Sequence, residues 1–518
     1  MSDVRRHKRV NPPGLGAARS ADRRARLLAG SATSGGTLRG LALAAGVALG
    51  SGYASAADYA AGGGVNNAPS GFATAVGDTA TTTGGSATAI GAFSFANGAG
   101  ATATGTLSTA NGTAATATGE SSFANGTGAT ATGQSSIANG NNATATGVAA
   151  NANGDSATAT GQNSLANGDS ATATGVAANA NGTGATATGR SSIANGNAAT
   201  AMGVASSANG TNATATGVSS FATGNNATAT GAGGLAHGAS ATATGSNSFA
   251  NGAQATATGV FSLAHGATAS AYGQRSNATG VATTAIGQGS TASATGATAV
   301  GANSQATATG AVAVGQSSTA SGVNSIAIGN GATATGSIAV GAGALASNGG
   351  AAFGDATTAT GTNSAALGTG ATATLANSVA IGSGSVASAP NTVSFGTPGN
   401  ERRLTNVAAG INPTDAVNMS QLSSAVAGLS SLNQYATDSR REARQGIAAA
   451  FALTSAPMPS APGKVTYAVN TGFFKSETAG GVSFAYRFNT ARPMAVNFGY
   501  AYGGGDSHGG RLGIAGEF

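Results

Sequence analysis

The sequence predicts a mainly β protein with three parts: a parallel β-solenoid, a short coiled coil and a C-terminal membrane sheet. Glycines recur every 14 residues from Gly77 to Gly329 without a slip. Apolar residues spaced three and four apart follow at 422–432, and four segments of alternating large apolar residues lie between Val465 and Phe518. Each turn of a solenoid meets the same surroundings as the last, so a strict repeat of this length is typical of a solenoid.

The composition excludes several classes of protein. The 518 residues include 86 glycines, 7% charged residues, and neither Cys nor Trp, which argues against an ordinary globular core and excludes disulfides and thiolate metal sites. No catalytic constellation and no phosphate-binding loop is visible, so we expect neither an enzyme nor a cofactor. His237 and His265 occupy the Asn position of two repeats, and we interpret them as turn substitutions because a metal site needs more ligands.

Residues 1–56 are predicted to be a secretory signal with a long basic extension. Nine of the 21 basic residues lie in the first 40 positions, an apolar stretch follows at 41–50, and an A-x-A site places cleavage near Ala56. Removal of this segment leaves 12 basic and 13 acidic residues. The basic character therefore leaves with the signal, and nucleic acid is excluded as a partner.

The repeats at 57–396 predict the head. Within one repeat, A-T-A-T-G directs Ala to one side and Thr, Val or Ile to the other, and S-x-A-x-G directs small residues to a narrow interior. We expect positive φ both at the glycine that closes the first run and at the Asn-Gly pairs. About 23 coils at about 4.8 Å would span on the order of 110 Å. The spacings of 12 and 13 after Gly329 predict a bulge or a shortened turn.

An apolar column in the second run is the candidate ligand contact, because exposed apolar rows usually mean contact with something. The alternative is packing between coils or against a neighbouring chain, and Asn151, Asn179 and Ser207 interrupt the column. The outward Thr columns suggest a rival function, ordering of water as in ice-binding solenoids. We favour Thr as a plain strand residue, because Val and Ile replace it in later coils. The column consists of Phe95, Phe123, Ile137, Leu165, Ile193, Phe221, Leu235, Phe249 and Leu263.

The remaining segments predict a neck at 397–422, a coiled coil and lumen helix at 423–455, and a membrane anchor at 456–518. Thr414 or Asp415 is expected to cap the helix. The anchor runs carry large apolar residues on one face and small or polar residues on the other, as a transmembrane β-barrel requires. Four strands leave open edges that lipid does not tolerate, so three chains are expected to close one barrel. Gly446 and its neighbouring alanines would give the helix room in the lumen. A soluble four-stranded meander is the disfavoured alternative.

The chain resembles the trimeric autotransporter adhesins, the YadA-like family of Gram-negative bacteria. The repeats Ser325–Gly329 and Ser122–Gly126 resemble the family's head repeats. The segment 403–422 resembles its neck motif, and the helix, four strands and terminal Phe518 resemble its anchor. The Thr-rich repeats and the very short stalk depart from the family pattern.

The resemblance implies a homotrimer with a left-handed parallel β-roll head and a shared barrel of twelve transmembrane strands. It further implies an outer-membrane surface adhesin that exports its own passenger and binds host matrix proteins or cells. The anchor would lie in outer-membrane lipid and be inserted by the barrel assembly machinery, with Gly446 in the anchor and Phe518 in the assembly signal. The alternative is a non-adhesive spacer or an ice-binding coat with the same anchor. The implied neck residues are Asn406, Val407, Asp415 and Asn418.

Overall fold

The computed structural model describes residues 58–68 and 72–518. The predicted signal at 1–56 lies outside the described residues. The chain divides after Gly289 into two compact units.

The first unit is a stack of coils, each with a three-residue first strand and a two-residue second strand. It begins with Tyr59–Ala61 and Val65–Asn66. First strands then recur every 14 residues from Thr74–Val76 to Thr284–Ile286, and second strands recur every 14 residues from Thr81–Thr82 to Asn277–Ala278. Strands of adjacent coils pair in parallel and in register, so that Ala131 lies opposite Ala145 and Phe123 opposite Ile137. The predicted parallel β-solenoid is confirmed.

The interior of each coil is filled by alanine and serine. Ala129, Ala131 and Ala138 are fully buried, as is Ser136 between them. The buried serine hydroxyl is hydrogen-bonded, because Ser136 Oγ donates to the Gly133 carbonyl oxygen at 2.9 Å. Side chains this small supply little hydrophobic stabilisation, since the effect scales with buried apolar area. Hydrogen bonds between coils, such as Thr130 N to Ala143 O at 2.8 Å, therefore hold much of the stack together.

Two glycine columns answer different demands, which corrects part of the sequence prediction. The glycine that closes each first strand has positive φ as predicted, for example +130° at Gly133, and a Cβ there would also overlap the next coil. The glycine that follows the second strand, as in Asn125-Gly126, lacks positive φ; a Cβ on Gly126 would overlap the carbonyl oxygen of Gly140 in the next coil. Glycine is needed there for close backbone approach. The left-handed residue lies two positions further on, as at Gly128 and Asn142.

The second unit begins with further coils of the same kind and ends with a helix and an antiparallel sheet. Its first strands are Thr298–Val300, Val312–Val314, Ile326–Ile328, Ile338–Val340, Ala351–Phe353, Ala365–Leu367, Val379–Ile381 and Val393–Ser394. Its second strands are Thr291–Ala292, Gln305–Ala306, Thr319–Ala320, Thr333–Ala334, Leu345–Ala346, Thr358–Ala359, Thr372–Ala373 and Val386–Ala387.

The irregular spacing after Gly329 is absorbed in one type of turn. Residues 335–337 connect a second strand to the next first strand, where 321–325 do so one coil earlier. Strand register survives, with Ile326 opposite Ile338 and Ala327 opposite Ala339. The prediction of a shortened turn is confirmed.

A single helix, Met419–Ala452, follows the coils, and its N-cap is Asn418. Asn418 Oδ1 accepts from the Gln421 backbone N–H at 3.0 Å, and Gln421 Oε1 accepts from the Asn418 N–H at 3.3 Å, a complete capping box. The prediction that Thr414 or Asp415 caps the helix was wrong, because Asp415 is engaged in the turn before it. The described part of the chain contains no helix with both the length and the hydropathy of a membrane span.

The C-terminal region is a four-stranded antiparallel meander, Val465–Phe474, Glu477–Phe488, Met494–Tyr502 and His508–Gly516, paired in that order. Alternation places small residues such as Ala479, Ala485, Ala495 and Ala501 on the face that the helix covers. The four predicted strands and their inward and outward faces are confirmed.

Candidate functional site

The apolar column of the second strands faces outward and is defined here as the ladder. Polar residues interrupt it between Phe95 and Phe221, and it is continuous from Phe221 to Leu263. Phe221 lies opposite Leu235, Leu235 opposite Phe249, and Phe249 opposite Leu263 on adjacent coils. Ile193 and Phe221 are exposed, and the other seven ladder residues are half-buried. Parallel pairing in register therefore stacks these side chains directly over one another, on the face opposite the alanine and serine interior.

Two asparagines interrupt the ladder with polar atoms that are buried, which the sequence analysis did not predict. Asn151 and Asn179 have a side-chain oxygen that is buried without a hydrogen-bond partner in the described part of the chain. Each is preceded by an exposed turn valine, Val148 or Val176. In the neighbouring coils, the ladder residues Ile137, Leu165 and Ile193 follow Gln134, Gln162 and Arg190. From Ile137 to Ile193 an apolar side chain thus alternates between ladder and turn, but the alternation ends there, because Val218 precedes Phe221 and Val260 precedes Leu263.

A second outward column runs beside the ladder and consists mainly of the Asn of each Asn-Gly pair. Side-chain amides join coil to coil, from Asn139 to Asn153 at 2.8 Å and from Asn153 to Asn167 at 2.7 Å. His237 and His265 continue this column, each with its Nδ1 within hydrogen-bond distance of the coil before it. Their rings flank Phe249 with centroids 5.7 and 6.5 Å away. No group of three or more metal-ligating side chains exists among the described residues.

The opposite face of the solenoid presents the first strands. In T-A-T strands such as Thr130–Thr132 the alanine is buried, the first Thr is half-buried and the second is exposed. The residue before the repeat glycine becomes apolar in many coils and stays about 40% exposed, as at Ile286, Ile328, Phe353 and Leu367. A repeated apolar row at this exposure is unusual for a chain that remains alone in water.

The neck, residues 397–422, is held together by hydrogen bonds of polar side chains at the start of the helix. Asn406 adopts a left-handed conformation with φ +61°. Asn418 Nδ2 donates to the Val407 carbonyl oxygen at 3.1 Å, and Gln421 exchanges two 2.9 Å hydrogen bonds with the Gly410 backbone. Of the predicted neck residues, Val407 and Asn418 thus meet at the helix start, and Gln421 bonds to Gly410 beside them.

Asp415 closes the neck turn from outside the helix. Its Oδ2 accepts the backbone N–H groups of Asn412 and Ile411, each at 2.9 Å. These hydrogen bonds to the charged form lower the pKa of Asp415 below its ordinary value, the Asn412 N–H having the larger effect. The carboxylate is fully exposed, so it holds the turn by hydrogen bonding rather than by burial.

The neck also caps the solenoid. Arg402 Nη1 donates to Ser385 Oγ at 2.7 Å and to the Phe395 carbonyl oxygen at 2.8 Å, and Nη2 donates to the Ser383 carbonyl. Its guanidinium lies over Gly382, where a Cβ would come within 2.9 Å of Cζ. The open edge of the last coil is therefore covered by a charged side chain, which discourages further strand pairing.

The helix beyond the neck exposes an apolar seam. Leu422, Val426, Leu429, Leu432 and Tyr435 are all exposed, at the three- and four-residue spacings of a coiled coil. The same helix changes partner further on, where Ala448, Ala449 and Ala452 pack on Ala479 and Ala501 of the sheet.

Glycines of the strands let the helix approach the sheet. A Cβ on Gly472 would overlap the carbonyl oxygen of Ala448, and one on Gly481 would overlap that of Ala452. Gly446, which the sequence analysis assigned to making room, is exposed, and a Cβ there would meet nothing within 4 Å. The close approach is thus located on the strands.

The outer face of the sheet is aromatic and uncovered. Tyr467, Phe473, Phe484, Phe498 and Tyr502 are between 47% and 72% exposed. The terminal Phe518 is fully exposed beyond the last strand, and its neighbour Glu517 bonds through its N–H to the Pro493 carbonyl at 3.0 Å.

Sequence comparison identifies the family that this arrangement belongs to. The profile described as the coiled stalk of trimeric autotransporter adhesin matches residues 403–443. The profile described as the YadA head domain repeat matches more than half of the chain, and the chain therefore belongs to the YadA-like trimeric autotransporter adhesins, which are surface proteins anchored in the outer membrane. The head matches are 72–94, 103–129, 117–143, 138–164, 166–192, 194–220, 208–233, 236–262, 243–269, 278–304, 306–332, 348–371, 359–385 and 376–397.

Among the solved structures that match part of the chain is one that carries a functional description. It is the collagen-binding domain of the Yersinia adhesin YadA, with 30% sequence identity, a TM-score of 0.17, and coverage of 39% of this chain and 84% of that one. No curated protein matches.

Proposed function

We propose that three copies of this chain form a surface adhesin whose four-stranded sheets close one twelve-stranded barrel in the outer membrane. The observation that carries the proposal is the distribution of side chains on the sheet: alanine and glycine face the helix, and aromatic side chains face outward. Lipid suits that outer face, and three sheets would pair the open edges of Val465–Phe474 and His508–Gly516.

Two further features support a trimer. The exposed seam from Leu422 to Tyr435 fits association of helices as a coiled coil. On the inner face of the sheet, Asn470 Nδ2, Ser483 Oγ and Arg487 Nε are buried without partners in the described part of the chain. Buried polar groups are normally hydrogen-bonded, so water or side chains of the two other subunits would satisfy them. Export of the passenger through this barrel, and insertion guided by Phe518 and the assembly machinery, belong to the same proposal.

Adhesion is assigned to the head, with the ladder as the contact surface for a host matrix protein or cell. The section from Phe221 to Leu263 supports this assignment most strongly, because four large apolar residues follow one another without a polar interruption. An apolar row bordered by Thr223, His237, Asn251 and His265 offers both burial and hydrogen bonds to a polypeptide ligand.

The test substitutes ladder residues by the residue that other coils already carry there. The variant F221N/L235N/F249N/L263N keeps the coil pattern seen at Asn151 and Asn179. The control V148Q/V176Q places glutamine where neighbouring coils carry it. Bacteria displaying each variant at equal density are assayed on collagen, on other matrix proteins and on host cells.

We expect the ladder variant to lose most of its binding and the control to keep it. Equal binding by both would remove the ladder from the proposal. If deletion of residues 72–396 also left binding unchanged, the head would be a spacer. The other alternative, an ice-binding coat, predicts that the Thr-faced coils inhibit ice recrystallisation, which the same cells can be used to measure.

A further inference from the structure

The helix carries one polar residue on the side that it presents to the sheet. Gln445 is 8% exposed, and the other buried helix residues are Ala448, Ala449 and Ala452. A helix face of alanines against glycine and alanine strands is smooth. A shift of one turn, about 5.4 Å, would exchange Ala448 for Ala452 with little change in packing. The alanines therefore do not determine how far the helix enters the sheet.

Gln445 is enclosed by two elements of the sheet at the end where the helix enters. Its Nε2 donates to Glu477 Oε2 at 3.1 Å, at the start of the second anchor strand. The loop Gly503–Gly505 wraps its other side: a Cβ on Gly503 would overlap the Gln445 carbonyl oxygen, and one on Gly504 would lie 3.2 Å from Nε2. Gly504 and Gly505 have φ of +99° and +54°, so the loop takes a shape that fits around this one side chain.

Neighbouring contacts converge on the same place. Arg441 Nε lies 3.9 Å from Glu477 Oε1, and Ser507 Oγ donates to the Glu442 carbonyl oxygen at 3.1 Å. Glu477 is mostly buried and Arg441 mostly exposed, so the amide of Gln445 is the nearer and better shielded partner of this carboxylate. Burial strengthens a hydrogen bond to a charged group and raises the cost of losing it.

We propose that Gln445 is a positioning residue that fixes the depth at which the exported helix comes to rest inside the anchor. The inference rests on the proposed function, in which the helix occupies the barrel lumen after export. A one-turn shift would withdraw the amide from Glu477 and from the glycine loop. Such a shift would leave the buried Glu477 carboxylate with only the exposed Arg441 as a partner. The Gln445–Glu477 pair is therefore the contact that stops the helix at one depth.

The test exchanges donor and acceptor. Gln445→Glu sets two carboxylates against each other, and the double variant Q445E/E477Q restores one amide and one carboxylate with their positions reversed. The matched control is Gln434→Glu on the same helix, where Gln434 Nε2 donates to Asp438 at 2.9 and 3.0 Å in an exposed position. The control creates the same charge pair in solvent, where screening makes it weak.

Depth is measured by cysteine accessibility, because the chain contains no cysteine. Single cysteines at 437, 439 and 443 are labelled in intact cells with a membrane-impermeant maleimide, and heat-resistant trimer is measured on gels of the same cells. We expect Q445E to shift the boundary of labelling and to lower the heat-resistant fraction about tenfold. Q445E/E477Q should restore both, and Q434E should match the wild type.

The inference and the proposed function fail in different ways. A wild-type chain that forms no heat-resistant trimer would contradict the proposed function. A normal wild type with an unchanged Q445E would overturn the depth stop. The stop would equally be overturned by a double variant that is not restored, or by a Q434E loss as large as that of Q445E. If Q445E fails to assemble at all, restoration in the double variant still decides the matter.

Discussion

The solenoid head and the anchor sheet use the same small residue types for opposite purposes. Both bury alanine, serine and glycine and direct larger side chains outward, as at Ala131 in the head and Ala501 in the anchor. A head coil closes around its own interior, and its backbone bonds to the coils on either side. The anchor sheet has a helix on one face, two open edges and unpartnered polar atoms within. Small residues thus complete a core in one region and prepare a surface for other chains in the second.

The largest effect is expected in the anchor, where a pair of adjacent glycines separates the two faces. Gly481→Val would force a side chain into the carbonyl of Ala452, whereas Gly480→Val points outward into open space. We expect G481V to abolish the heat-resistant trimer, since overpacking against backbone costs about 1–3 kcal/mol per chain or more. G480V should assemble normally; equal behaviour of the two variants would contradict the assigned faces.

The next largest effect is expected in the head, again between two glycines of one turn. Gly98→Ala places a Cβ on the carbonyl oxygen of Gly112. Because that oxygen belongs to the backbone of the next coil, the clash can be relieved only if the two coils move apart. Gly100 has φ +65° with no atom near its Cβ position, and other coils carry Asn there, so Gly100→Asn should change stability by no more than about 0.5 kcal/mol. Thermal unfolding followed by circular dichroism should show a clearly lower midpoint for G98A alone.

A moderate gain is expected when Thr-faced coils are made to resemble the later ones. Thr132, Thr146 and Thr160 are exposed at the position that Ile286 and Ile328 occupy elsewhere. If this face packs against other chains, T132V/T146V/T160V should stabilise the trimer, by up to about 1 kcal/mol per position. The same change in the polar turn, T127V/T183V/T211V, should give no gain. A destabilised or unaffected trimer in the first variant would place the Thr face in solvent.

The smallest effect is expected on the stability of the neck when the pH is lowered. Because its folded-state pKa is lowered, Asp415 stabilises the neck at pH values above its ordinary pKa, and this contribution is lost as pH falls through the lowered value. Asp415→Asn should therefore cost little at neutral pH and flatten the acid limb of trimer stability. A wild-type neck that melts equally at pH 7 and pH 2 would contradict this role.

The repeat allowed the sequence to predict most of the fold, because one period determines strand, turn and interior for every coil. It did not distinguish the two glycine columns, since the same residue answers a demand for positive φ and space at Gly133 and a demand for space alone at Gly126. The N-cap was missed because Thr414, Asp415 and Asn418 are all good caps, and only the bonds to Val407 and Gln421 select one. The close approach at Gly472 and Gly481 was not predicted, because contacts between helix and strand join distant parts of the sequence; the role of Gly446 stays a prediction.

The central claim is that three chains share one anchor, and heat-modifiability of the outer-membrane fraction tests it most directly. The account predicts a band near three times the mass of one chain that collapses to the monomer only on harsh denaturation. That band should be absent for G481V and present for G480V. A wild-type chain that runs as a monomer under every condition would contradict the shared barrel.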